Sequence, residues 1–389
     1  MESLSKKLHQ IQTKTAPVKV MILGLGSVGN YFLDYLCNLS EPNIEIIVVG
    51  RNRDKMEKDV NIIKVASNIR GQLRSNIFIE SGCDFNYIDN LKHVMEKYHP
   101  DFIVNTSRAF SGLKYGSLSW KNLRAYGIWS PLAVKYLKNI MKAAETAVPE
   151  AIVINTSYSD VTIPWLKSAD WAYPDFGSGN LNHLIPRIRF AAAELKGISD
   201  FWNIDVTVAT GHFHDVVISK EGQNEGISQL INLSYQGKSL TFEESALLEK
   251  CRIPMPTDAK RNMMNASSNL EIIQGILEAI REKEIRKLHI PGAAGKIGGY
   301  PVIIDCKGTN VRAYIDESIF SMKDMELKNK LSIQKDGIEK IENGKIFYTD
   351  DLLERVKDVF HTKLPKAVAL EDSDEVAELI IEEIIKKNI

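Results

Sequence analysis

The stretch that most constrains the fold is "VKVMILGLGSVGNYFLDYLCNLSEPNIEIIVVGRN", residues 18–52. Val18 to Leu23 form a short apolar run suited to a buried parallel strand. Gly24, Gly26 and Gly29 follow with G-x-G-x-x-G spacing. In that spacing the first glycine permits a tight turn, the second lets the backbone approach a diphosphate, and the third packs helix on strand. Val28, Phe32, Leu33, Leu36 and Leu39 then recur at helical spacing, so the amides at the helix start (Ser27, Val28, Gly29) face outward for an anion. Strand character resumes from Asn43 to Val49. The glycine spacing alone also occurs in ordinary turns. Strand, helix and second strand in this order make it a dinucleotide site.

The end of the second strand bears on which dinucleotide. An NAD site usually offers an acid there to the adenine-ribose hydroxyls. This chain offers "GRNRD", residues 50–54. Arg51 and Arg53 suit an added 2'-phosphate, because a guanidinium donates a fork of hydrogen bonds to phosphate. Asp54 comes late for the ribose. NADP is therefore favoured over NAD, against the plainer possibility of a solvated Arg-Asp loop.

The alternation continues. "NIFIE" (76–80) suggests a third strand and "YIDNLKHVMEKY" a helix. "DFIVNTS" (101–107) suggests a fourth strand, a helix covers about 130–145, and "AIVINTS" (151–157) suggests a fifth strand. Alternating strands and helices imply a Rossmann-type, doubly wound α/β sheet. Ligands of such sheets lie beyond the carboxyl ends of the strands. Asn105 and Thr106 fall there as cofactor candidates, Asn155 and Arg108 as substrate candidates. A terminal asparagine can also simply cap the next element. The glycine-rich stretch 107–119 is long enough to cover a site.

Texture changes near Asp160, which divides the chain into a dinucleotide-binding domain, 17–159, and a substrate and oligomerisation domain, 160–389. A helix is expected from about Leu184 to Leu195 and a strand from Phe201 to Thr210. "GHFHD" (211–215) then reads as a loop before a second strand, "VVISK". Ile227 to Thr241 suggest further sheet, 259–288 a long helical region, and "GGYPVIIDCKGTNVRAYI" a hairpin. A charged helical pattern surrounds "NGKIFYTD", and "SDEVAELIIEEIIKK" closes as an amphipathic helix.

Composition excludes several partners. A formal charge of -1 on 389 residues gives no basic footprint for nucleic acid or an anionic membrane. No run approaches the ~18–20 apolar residues of a membrane span, and the polar start lacks an export core. Cys37, Cys83, Cys251 and Cys306 are widely spaced and suit buried thiols better than disulfides or zinc. A cytoplasmic protein acting on a small molecule is the default expectation.

Taken in order, these motifs resemble the lactate and malate dehydrogenase superfamily. The matching features are the glycine-rich turn, the loop after the fourth strand, Asn155 ending the fifth, and an arginine near a helix start. A strand ending in a Gly-x-His-Gly-Asp-like motif and "GKIGGYPVIIDCKGTNVRAYI" complete them, over about residues 18–335. The resemblance implies a hydride-transferring enzyme with an α/β substrate domain and a homodimeric or homotetrameric assembly. It implies that a histidine of "GHFHD" is the acid/base, although Phe213 aligns with the family's histidine. His212 and His214 flank it and Asp215 keeps its place. The helix-side aspartate has Asn182 as its nearest equivalent, and Arg187 is the substrate anchor, with Arg189 as alternate. "GNLNHL" also resembles NAD- and metal-dependent glycosidases, in which His183 would hold a metal, but the expected cysteine after the fifth strand is missing. Opine and saccharopine dehydrogenases are more distant resemblances, and a noncatalytic dinucleotide-binding protein is a further alternative.

A histidine suits the proton path because its reference pKa of about 6.5 allows both states near neutrality. If 211–215 is extended, His212 and His214 share one side, opposite Phe213. His212, nearer the incoming strand, is the first candidate.

Overall fold

The computed structural model describes residues 1–39, 44–309 and 311–388. Helix α1 (Glu2–Thr13) comes first and buries Leu4, Leu8 and Ile11 on one stripe. The expected alternation follows it: β1 (Val18–Leu23), α2 (Ser27–Cys37), β2 (Ile44–Val49), α3 (Arg53–Ile69), β3 (Asn76–Glu80), α4 (Ile88–Tyr98) and β4 (Phe102–Asn105). Asn43, expected at the start of the second strand, lies outside the described residues. Next come α5 (Gly112–Leu118), α6 (Ser130–Ala147), β5 (Ile152–Asn155), α7 (Ser159–Ser168) and β6 (Phe176–Gly177).

The six strands form one parallel sheet in the order β3-β2-β1-β4-β5-β6. Its strands are apolar on both faces because helices cover both. Met21, Leu23, Ile47, Val49, Ile103 and Val153 join one core cluster. Their alternating neighbours Val20, Ile22, Ile46, Val48, Phe102, Val104, Ile152 and Ile154 join another. Each fully buried aliphatic side chain contributes on the order of 1.5–3 kcal/mol. The sheet reverses winding direction between β1 and β4, which opens a crevice at their carboxyl ends.

The remaining elements are α8 (Asn180–Lys196), β7 (Ile204–Ala209), α9 (His212–Glu221), β8 (Leu230–Tyr235), β9 (Lys238–Ser239), α10 (Glu244–Lys250) and α11 (Asn262–Glu282). They are followed by β10 (Ile285–Pro291), β11 (Gly299–Asp305), β12 (Arg312–Ile315) and α12 (Met322–Lys335). Two antiparallel three-stranded sheets result, β7-β8-β9 and β10-β11-β12. A third core cluster joins Leu184 and Ile188 of α8 to Val206, Phe213, Val217 and Leu248.

Two local expectations are corrected. "GHFHDVVISK" is the first part of helix α9 and not a loop between strands, because Phe213, Val217 and Ile218 bury together on one helical face. The charged segment around "NGKIFYTD" is a hairpin, β13 (Ile338–Glu342) and β14 (Lys345–Tyr348). After it come α13 (Asp350–Phe360), β15 (Ala367–Ala369), α14 (Ser373–Leu379) and a π-helical turn, Ile380–Ile385. This last segment packs with the front half: Ile338, Ile346, Phe360 and Ile384 share a cluster with Leu91 of α4 and Leu137 of α6. Among the described residues, no helix is long and apolar enough to cross a membrane. All four cysteines are free and buried.

Candidate functional site

A cleft of about 890 Å³ lies at the carboxyl ends of β1, β4 and β5. Its near end is the glycine-rich turn. Gly24 has φ +94°, a conformation costly for any other residue. A Cβ on Gly29 would stand 2.2 Å from the Gly24 carbonyl oxygen, so only glycine lets α2 approach β1 this closely. The space above Gly26 is open, and the first-turn amides of α2 have no acceptor within their own helix. Thr106 braces the turn by donating from Oγ1 to the Gly24 carbonyl at 2.6 Å. Gly24, Gly26, Ser27, Val28 and Thr106 all line the cleft.

Arg51 and Asn52 line the same end. Asn52 caps α3 by accepting from the Lys55 amide. Arg53 turns along its own helix to Glu57 at 2.6 Å. Residues 51–54 together rim a second, shallow depression. Asn105 lies behind the cleft wall: its Nδ2 donates to Asn155 Oδ1 at 2.9 Å, and its Oδ1 accepts from Ser107. Asn155 in turn donates to the Ser157 carbonyl, Ser159 and Thr162. This pair ties the ends of β4 and β5 together, and Asn182 likewise joins α8 to Ser268 and Glu271 of α11. Arg108 is on the cleft wall.

The far end holds His212. Gly211 ends the β7 connection and leaves His212 as the first residue of α9. Its Nδ1 meets Asp336 Oδ2 at 2.7 Å. Asp336 is the C-terminal cap of α12, and α12 lies against the start of α9, where Ser332 Oγ accepts from the His214 amide. The Asp336 carboxylate also accepts from Tyr158 Oη at 2.6 Å and from the Tyr126 amide at 2.8 Å. Tyr126 and Tyr158 press edge-on against the imidazole, each with its centroid 4.8 Å away. The ring is thereby fixed in plane with Nδ1 committed. Among the described residues no hydrogen bond engages Nε2, and His212 lines the cleft.

Two fields act on that ring. Burial opposes its charge, but Asp336 by charge and hydrogen bond, with Asp160 beyond, outweighs it and raises the pKa above 6.5. Burial pushes the Asp160 carboxyl up to about 6 and that of Asp215 to about 7, against the pull of His212 on both. His214 faces away: its Nε2 meets the Asn224 carbonyl oxygen at 3.2 Å, it does not line the cleft, and burial lowers its pKa to about 4. Phe213 points into the core beside Trp120.

Arg187 is almost wholly buried on the cleft wall. Its guanidinium donates to the carbonyls of Cys251 and Ile253 and to Met255 Sδ, and its Nε has no partner. Arg189 instead donates to the Ile204 carbonyl as a structural tie. His183 also faces the cleft with an unpartnered Nε2. Among the described residues, no group of three or more His, Cys, Asp or Glu is placed to hold a metal ion.

The sequence reading missed Asp336, Tyr158, Tyr126 and Asp160. Asp336 sits in "QKDGIEK", which carries only the signal of a helix end before glycine. Nothing local distinguishes it from any other Asp-Gly turn.

No family model matches the chain, and no curated protein matches it. Solved structures do. Malate dehydrogenase from Cryptosporidium parvum superposes with a TM-score of 0.53 at 14% identity, covering 82% of this chain and 97% of that one. Malate dehydrogenase from Plasmodium falciparum gives 0.51 at 16%, covering 82% and 98%. At such identities the likeness is one of fold. The chain shares the architecture of these malate dehydrogenases: a parallel six-stranded Rossmann-type sheet followed by further α/β elements.

Proposed function

We propose that this chain is an NAD(P)-dependent oxidoreductase that moves hydride between nicotinamide and a small, polar, carboxylated hydroxy or oxo substrate. One observation carries the proposal: His212, oriented by Asp336 behind it, lines the same cleft as the glycine-rich turn. The turn fits a dinucleotide. The left-handed Gly24, the open space above Gly26 and the close α2 packing at Gly29 are what a bound diphosphate requires. Bound there, the dinucleotide would supply the hydride acceptor or donor.

The chain's own groups divide the remaining work. His212 Nε2 takes the proton from a substrate hydroxyl, or returns it to a carbonyl oxygen. Asp336 holds the imidazole by Nδ1 and stabilises its cation. Arg187 pairs with the substrate carboxylate. In this scheme residues 17–159 hold the cofactor, and 160–389 supply His212, Arg187 and Asp336.

The NADP preference rests on Arg51 at the ribose edge, where no acid precedes it, and on the Arg-rimmed depression beside it. Titration with both dinucleotides tests it. NADP is expected to bind more tightly, and Arg51→Asp to shift the affinity ratio towards NAD by roughly 10–100-fold. Tighter NAD binding by the parent protein would defeat the preference.

For the reaction, panels of hydroxy and oxo acids are assayed by nicotinamide absorbance. His212→Asn is expected to lower kcat by roughly 10²–10⁴-fold with dinucleotide affinity retained. His214→Gln is expected to keep most turnover. Dinucleotide binding without a redox change on any substrate would favour a noncatalytic binding protein.

A further inference from the structure

The cleft wall near His212 holds three unsatisfied polar groups that His212 and Asp336 do not use. Arg187 Nε is a buried donor without an acceptor. Asp215 makes no side-chain hydrogen bond among the described residues, and its Oδ1 is sealed from solvent. The third is His183 Nε2. Burial lowers the His183 pKa to about 3, so its ring is neutral, and a neutral imidazole offers one lone pair as an acceptor.

These groups belong to one locus. All three residues line the cleft, and each acts electrostatically on at least one other: Arg187 on Asp215 and on His183. Yet Arg187 and Asp215 form no ion pair with each other. Arg187 spends its Nη atoms on two neutral carbonyls and a thioether. A buried unpaired cation, a buried unpaired acid and a buried empty acceptor each oppose folding, the charged groups most. One ligand head would satisfy them all. It needs an anionic acceptor for Arg187 beside a cationic group with several N–H donors for Asp215 and His183.

We infer that the substrate is an α-amino acid, its carboxylate held by Arg187 and its ammonium by Asp215 and His183 Nε2. A 2-hydroxy acid has one O–H donor for two acceptors and no positive charge to set against Asp215. The ammonium has three donors and that charge. Burial lifts the Asp215 carboxyl to about 7; an adjacent ammonium favours its carboxylate. The inference rests on the proposed hydride and proton paths and replaces oxygen by nitrogen at the reacting carbon.

The step balances. His212 Nε2 takes one proton from the ammonium. The Cα–H bond then breaks with its electron pair leaving as hydride for the nicotinamide dinucleotide, which is reduced. The nitrogen lone pair closes the C=N bond, and the amino acid is oxidised to an iminium acid.

Calorimetry decides this without turnover. The protein saturated with reduced dinucleotide, which cannot accept hydride from either ligand, is titrated with the standard α-amino acids and with 2-hydroxy acids of the same side chains. At least one amino acid is expected to bind about tenfold or more tightly than its hydroxy counterpart. Asp215→Asn should weaken that amino acid by roughly 10–100-fold and by more than it weakens the hydroxy acid. Equal or tighter binding of the hydroxy acid by the parent protein overturns the inference, whether or not the variant folds. So does binding of no amino acid at millimolar concentration. In both cases the proposed function survives if the dinucleotide binds. Failure of the dinucleotide itself to bind removes both.

Discussion

The His212 ring is caught between burial, which disfavours its cation, and the Asp336 carboxylate 2.7 Å away, which favours it. For the proposed reaction the raised pKa sets a direction. Oxidation needs the neutral ring, so kcat/KM in that direction should climb as pH rises through a value above 6.5. Reduction needs the cation and should fall through the same range. Asp336→Asn is expected to move this limb downward, because burial is then opposed only by the charges of Asp160 and Asp215, and to lower kcat/KM by roughly 10²–10⁴-fold. A limb that does not move would show that another group titrates.

The same shift enters stability. The His212 charge contributes stability that is fully present below its unfolded value of about 6.5. That contribution is lost as pH rises through the folded value. The stability gap between the parent protein and His212→Gln, from denaturant unfolding, should therefore shrink from acid to alkaline pH. At this scale the sequence showed two histidines beside an acid, with His212 nearer the incoming strand. It could not show that His214 turns to Asn224.

Among the elements, those formed by short-range patterning were readable. The apolar run of β1, the glycines that follow and the stripe of α2 are local demands of backbone and burial. Helix α9 was not readable that way. Its β-branched "VVIS" suggests a strand, but burying Phe213, Val217 and Ile218 together against α8 and β7 overrides that propensity. The β13–β14 hairpin did carry a local signal. Asn343 and Gly344 both have positive φ and join Glu342 to its partner Lys345, as an Asn-Gly two-residue turn does. The surrounding charges masked it.

At the end of that hairpin the Tyr348 ring is fully buried, and its hydroxyl has no partner. Tyr348→Phe removes a buried group that has lost its water. It is expected to leave the protein equally stable or to stabilise it by about 1 kcal/mol in denaturant unfolding. A loss above about 1 kcal/mol would mean that the hydroxyl is bonded after all.

On the scale of the whole molecule, the C-terminal segment returns to the first half of the chain. Ile384 and Phe360 share a core with α4 and α6, and Asp336 stands where α12 ends and that segment begins. The segment is therefore expected to unfold together with the Rossmann-type sheet. Ile384→Ala should cost about 2–5 kcal/mol and shift one unfolding transition seen alike by circular dichroism and by tryptophan fluorescence. Two separated transitions would mark the segment as independent. Its closing sequence was readable as an apolar-striped helix, but a stripe does not name the surface that covers it.

By itself the sequence determined the parallel sheet, the glycine turn and the approximate place of the histidines. Each follows from dihedral limits and apolar periodicity within a few residues. Only the tertiary structure decided that His212 faces the cleft and that Asp336 stands behind it, 124 positions away in the chain. It also decided that Arg187 and Asp215 stay unpaired within one cleft. Those relations arise where α12 seats against α9 and where α8 turns Arg187 towards the cleft, and packing between distant elements leaves no periodic trace in either segment.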